Sequence, residues 1–60
     1  MNDIKSLRKA AGMTQREFAE YFSIPLRTLQ GWESGRFAPP SYLIPLLEYK
    51  LIGDGIMRKA

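Results

Sequence analysis

No cysteine and no histidine occur among the 60 residues. Without cysteine there is neither a disulfide framework nor a thiolate metal cluster, which suits a reducing cytosol. Without histidine the commonest general base and metal ligand is missing. Apolar runs are only a few residues long, far short of the roughly 20 needed to span a bilayer. The opening stretch, Met1 to Gly12, is amphipathic and mixed in charge, unlike the basic-then-apolar order of a signal peptide. The six acidic residues form no pair suited to acid–base catalysis, and there is no glycine-rich phosphate loop or nucleophile motif. These absences predict a soluble, cytoplasmic chain with no metal, no cofactor, no membrane association and no enzymatic activity.

Nine Lys and Arg against six Asp and Glu leave a net charge of +3. Such an excess permits an anionic partner without requiring one. A chain this short buries only about 60% of its unfolded surface, so one small domain is expected, over residues 1–52, followed by a short tail, 53–60.

Helix signals dominate, and no strand pattern of useful length appears. Asn2 or Asp3 can cap a first helix whose Ile4, Leu7 and Ala11 share a face, with Gly12 placed as its C′ residue. Thr14-Gln15-Arg16-Glu17 reads as a capping box opening a second helix through Phe18, Ala19 and Phe22. The residue before a proline avoids the α region, so Ser23-Ile24-Pro25 breaks the pattern and a third helix starts at Pro25 or Leu26, ending at Gly35. Pro40 or Ser41 opens a fourth through Tyr42, Leu43, Leu46, Leu47 and Leu51, stopped by Gly53-Asp54-Gly55. Pro45 lies inside that span, where it should kink the helix or mark its true start. The tail from Ile56 onward, IMRKA, is expected to be frayed or held by another chain. The fold class is all-α, four short helices.

At 100° per residue, Pro25, Leu29 and Trp32 fall on one side of the third helix, with Glu33 beside them. Arg27, Gln30, Gly31 and Ser34 fall opposite, flanked by Thr28. A solvated face ordinarily carries Glu and Lys. This one carries short or fork-shaped hydrogen-bonding groups that suit base edges and phosphates. Glycine at 31 costs about 1 kcal/mol against alanine. It either admits a bulky surface close to the backbone or relieves crowding between packed helices, and the wheel alone leaves both open.

Residues 15–34, QREFAEYFSIPLRTLQGWES, resemble the twenty-residue helix-turn-helix of the XRE family, the phage repressor-like regulators. The small fifth residue is Ala19, and the apolar fourth, eighth, tenth, fifteenth and eighteenth are Phe18, Phe22, Ile24, Leu29 and Trp32. Leu7-Arg8, Gly12 to Gln15, and Trp32 to Gly35 followed by a proline-containing loop extend the likeness over residues 4 to about 51. Two features depart from the pattern. Ser23 stands where a left-handed glycine is usual, and there is no room for the fifth helix common in the family.

The resemblance implies a four-helix, lambda repressor-like DNA-binding domain whose third helix enters the major groove of double-stranded DNA. It places Leu26, Arg27, Thr28 and Gly31 at base-facing positions, with Gln30 nearby, and Arg27 is the best candidate for a bidentate contact with guanine. It implies a phosphate bond from Gln15 beside Thr14, which also caps the helix, while Arg16 and Arg36 can neutralise phosphates at the edges. It pairs Arg8 with Glu33 in a salt bridge joining the first helix to the third. The expected function is sequence-specific transcriptional regulation, as a repressor, by a homodimer formed in solution or on DNA. Two rivals are an antitoxin whose aliphatic tail around Ile52 and Ile56 meets a toxin protein, and a protein-interaction module that has lost DNA binding.

Overall fold

The computed structural model describes residues 3–57. Four helices follow one another: α1 (Asp3–Ala10), α2 (Gln15–Tyr21), α3 (Leu26–Ser34) and α4 (Leu43–Gly53). No strand occurs among the described residues. The expected cap at Asn2 lies outside them. α1 ends where Gly12 takes a φ of 72, which L side chains avoid. Two residues later the Thr14 hydroxyl accepts from the Glu17 amide at 3.1 Å, and the Thr14 amide donates to the Glu17 carboxylate at 2.9 Å. Both halves of the capping box are formed, so α2 starts where its exposed amides are satisfied.

Between α2 and α3 the chain turns at Ser23, whose φ of 56 makes it the one non-glycine residue with positive φ among those described. The Ile24 amide then donates back to the Ala19 carbonyl at 2.8 Å. Pro25 stands at the N-cap of α3 with extended backbone, and Gly35 closes the helix at φ 83, its amide reaching the Gly31 and Trp32 carbonyls. α4 corrects the sequence reading. It begins at Leu43, not at Pro40 or Ser41, so Pro45 falls in the first turn, where its missing N–H would have had no intrahelical partner.

α1 packs on α3 and α4, and α2 packs on α3. The core joins all four: Ile4 and Leu7, Phe18 and Ala19, Leu29, and Leu47 and Leu51. Phe18, Ile4, Leu29 and Leu51 are fully buried, each contributing about 1.5–3 kcal/mol by leaving water. Phe22 meets Phe18 edge-on at 4.8 Å and Tyr21 at 4.9 Å. The segment after α4 is not frayed over 54–57. The amides of Ile56 and Met57 donate to the Leu51 carbonyl at 2.9 and 3.2 Å, and Met57 packs against the core. Tyr21 donates a hydrogen bond to Asp54, Lys50 bonds the same carboxylate at 3.2 Å, and the Lys50 ammonium lies 5.5 Å from the Tyr21 ring centre. This surface cluster ties the end of α2 to the end of α4.

Candidate nucleic-acid interface

The apolar side of α3 faces inward through Leu29 and Trp32, which leaves Arg27, Gln30 and Ser34 exposed along the opposite side. Thr28 is half-buried at the flank, and Leu26, also half-buried, packs against the core. Arg36 follows the helix and is exposed. Together with Arg27, Gln30, Gly31 and Ser34 it lines a small hollow on this face. At the start of α2, Arg16 is exposed and Gln15 half-buried.

Glu33 lies at the edge of the buried side, and its carboxylate is enclosed by donors. Arg8 Nε donates to Oε2 at 2.7 Å and Arg8 Nη2 donates to Oε1 at 3.0 Å, a two-pronged pair between α1 and α3. Arg8 Nη1 also donates to the Met13 carbonyl at 2.9 Å, so the same guanidinium holds the turn before α2. The side chains are 12% and 4% exposed, respectively. Burial by itself would raise the Glu33 pKa. Hydrogen bonds from Arg8 and Gln15, with the charges of Arg8 and Lys5, outweigh it, and the carboxyl sits below its ordinary range. The bond to Glu33 pushes Arg8 the other way, keeping it charged.

Gln15 joins the same network, which the sequence did not reveal. Its Nε2 donates to Glu33 Oε1 at 3.2 Å, and its Oε1 accepts from Gln30 Nε2 at 3.4 Å. Arg8, Glu33, Gln15 and Gln30 thus form one chain of contacts from α1 through the first turn of α2 to the outer face of α3. No spacing rule within a single helix signals it, because each link crosses between helices.

Gly31 is buried, and the ring of Phe37 lies over it. A Cβ built on Gly31 would come 2.4 Å from Phe37 Cζ and 2.5 Å from Cε1. The glycine makes room for the chain's own phenyl ring, which covers residue 31 on that side. Phe37 itself lies in the loop after α3 and is 45% exposed.

Among the described residues there is no cluster of acidic, histidine or cysteine side chains fit to hold a metal ion, and no helix is long and apolar enough to cross a membrane. A family model described as Helix-turn-helix matches residues 4–48. No curated protein and no solved structure matches the chain. The matched family is one of DNA-binding domains and not an enzymatic one. The match spans α1 to α3, the turn at Ser23 and the first half of α4. With the four-helix, lambda repressor-like architecture, it identifies the chain as a member of the XRE-type helix-turn-helix family of DNA-binding proteins.

Proposed function

We propose that the chain is a sequence-specific transcriptional regulator, a repressor, whose α3 enters the major groove. The observation that carries this reading is the outer face of α3, where Arg27, Gln30 and Ser34 stand exposed on a helix clamped to α1 by the Arg8–Glu33 pair. A rigid helix with a forked cation near its N-terminal end suits direct readout, since Arg bonding guanine O6 and N7 is worth about 1–3 kcal/mol of discrimination. Arg27 carries the principal base contact, with Thr28 beside it. Leu26 reaches a thymine methyl only with the part of its side chain not used in packing. Gln30 works through its bond to Gln15, holding the amide at the start of α2 in place for a backbone phosphate. Thr14, Arg16 and Arg36 supply further, sequence-independent phosphate contacts.

A second copy of the chain completes the site. Tyr42, Leu46 and Tyr49 are 66%, 57% and 79% exposed along one side of α4, while Leu47 and Leu51 are buried on the other. An apolar helix with both sides apolar calls for cover on both. We place the homodimer contact on this stripe, with two α3 helices facing an inverted repeat. Repression then follows from occupying the repeat.

Selection from a random duplex pool tests the reading. An enriched inverted repeat, bound with an affinity that falls steeply with salt as counterions are released, is the expected result. Absence of any enriched motif would contradict it.

A further inference from the structure

Phe37 lies where the side chain of residue 31 would otherwise project. The Cβ direction at Gly31 points away from the Leu29–Trp32 side, and the nearest atoms along it are Cζ, Cε1 and Cε2, the far tip of the Phe37 ring. The ring therefore covers Gly31 from outside α3, beside Ser34, and about half of its surface is open. Arg36, its neighbour in sequence, joins Arg27, Gln30 and Ser34 around the adjoining hollow. Phe37 covers Gly31, which borders that hollow, and also lines the larger cleft with Trp32 and Ser34, so a half-open apolar ring lies next to exposed cationic and hydrogen-bonding side chains.

We propose that Phe37 is a specificity-determining residue that reads the 5-methyl group of thymine, replacing through space the side chain that α3 lacks at Gly31. The inference rests on the DNA reading above. Its chemistry is that of the major groove: among the base-edge groups exposed there, the thymine methyl is the apolar one, and an aromatic ring is a suitable contact for it. Gly31 is then a functional glycine at one remove, required so that a residue from the loop after α3 can rest its ring tip on the helix.

The test uses the full chain and the duplex it enriches from a random pool, with each thymine replaced in turn by deoxyuridine, which lacks only the methyl. For the wild type, at least one replacement in each half-site lowers affinity about fourfold, the value of one buried methyl-sized group (~0.8 kcal/mol at 1.4 kcal/mol per tenfold). With Phe37→Ala that replacement no longer matters, while the penalty for changing the guanine read by Arg27 persists. Gly31→Ala supplies an independent variant, because its Cβ displaces a ring tip that is free to swing into solvent. It keeps the fold, as checked by circular dichroism, and loses the same methyl dependence. An unchanged deoxyuridine profile in both variants, or tighter binding by Phe37→Ala, would overturn the assignment of Phe37 and leave the regulator reading intact. Failure of the wild type to enrich any motif overturns both.

Discussion

Ser23 holds a left-handed backbone, φ 56, without being glycine. That conformation costs an L residue about 1–2 kcal/mol, and glycine returns part of the gain as lost chain entropy. Ser23→Gly should therefore stabilise the domain by about 0.5–1 kcal/mol, seen as a higher urea midpoint with an unchanged slope. A midpoint that stays or falls would show that the turn stores no such strain. Glu33 makes a different claim on stability. A carboxyl whose pKa falls on folding contributes stability that is complete above its unfolded value and is lost as pH drops through the folded one. The contribution of Glu33 should thus be intact above its ordinary value of 4.5 and should fade below it. Thermal melts followed downward from neutral pH should show this loss, and Glu33→Gln should flatten that part of the acid limb while lowering stability at neutral pH. Arg8→Ala strands a carboxylate that is 4% exposed and should cost about 3 kcal/mol, much of the stability of so small a domain.

Local chemistry also decides where each helix starts, and this is where the sequence was most readable. The Thr14–Glu17 box, Pro25 and Gly35 delimit α2 and α3 to within a residue, because caps and breakers act through neighbouring backbone groups. Thr14→Ala should cost about 1 kcal/mol and fray α2, read as lost helical circular dichroism and faster amide exchange at Glu17. Equal exchange in both proteins would deny the cap its role. The start of α4 was less legible, since Pro45 is as acceptable in a first turn as it is disruptive later, and only packing decides between them. The exposed face of α3 was legible for the same reason. Residues facing outward from α3 follow from its periodicity, whereas Phe37 reaches Gly31 across the helix end, and Gln15 meets Gln30 between helices. Tertiary contacts of that kind leave no local pattern. Nor does the docking of Met57, which follows no helical repeat.

The molecule measures 30 Å along its longest axis and presents one α3. Recognition helices of a two-fold dimer on adjacent half-sites lie about 34 Å apart, a distance two such molecules span side by side. Leu46 is 57% exposed, so Leu46→Glu should leave the isolated fold unchanged. It should lower affinity for a full inverted repeat and spare affinity for a single half-site, as measured by titration on the two duplexes. Equal weakening on both, or on neither, would contradict the proposed dimer contact on α4. The most direct measurement of the central claim is to repeat the random-pool selection with Arg27→Ala. If the outer face of α3 reads base edges, the enriched motif loses its preference for guanine at one position in each half-site while its other positions survive. The same motif with that guanine still preferred would contradict the account.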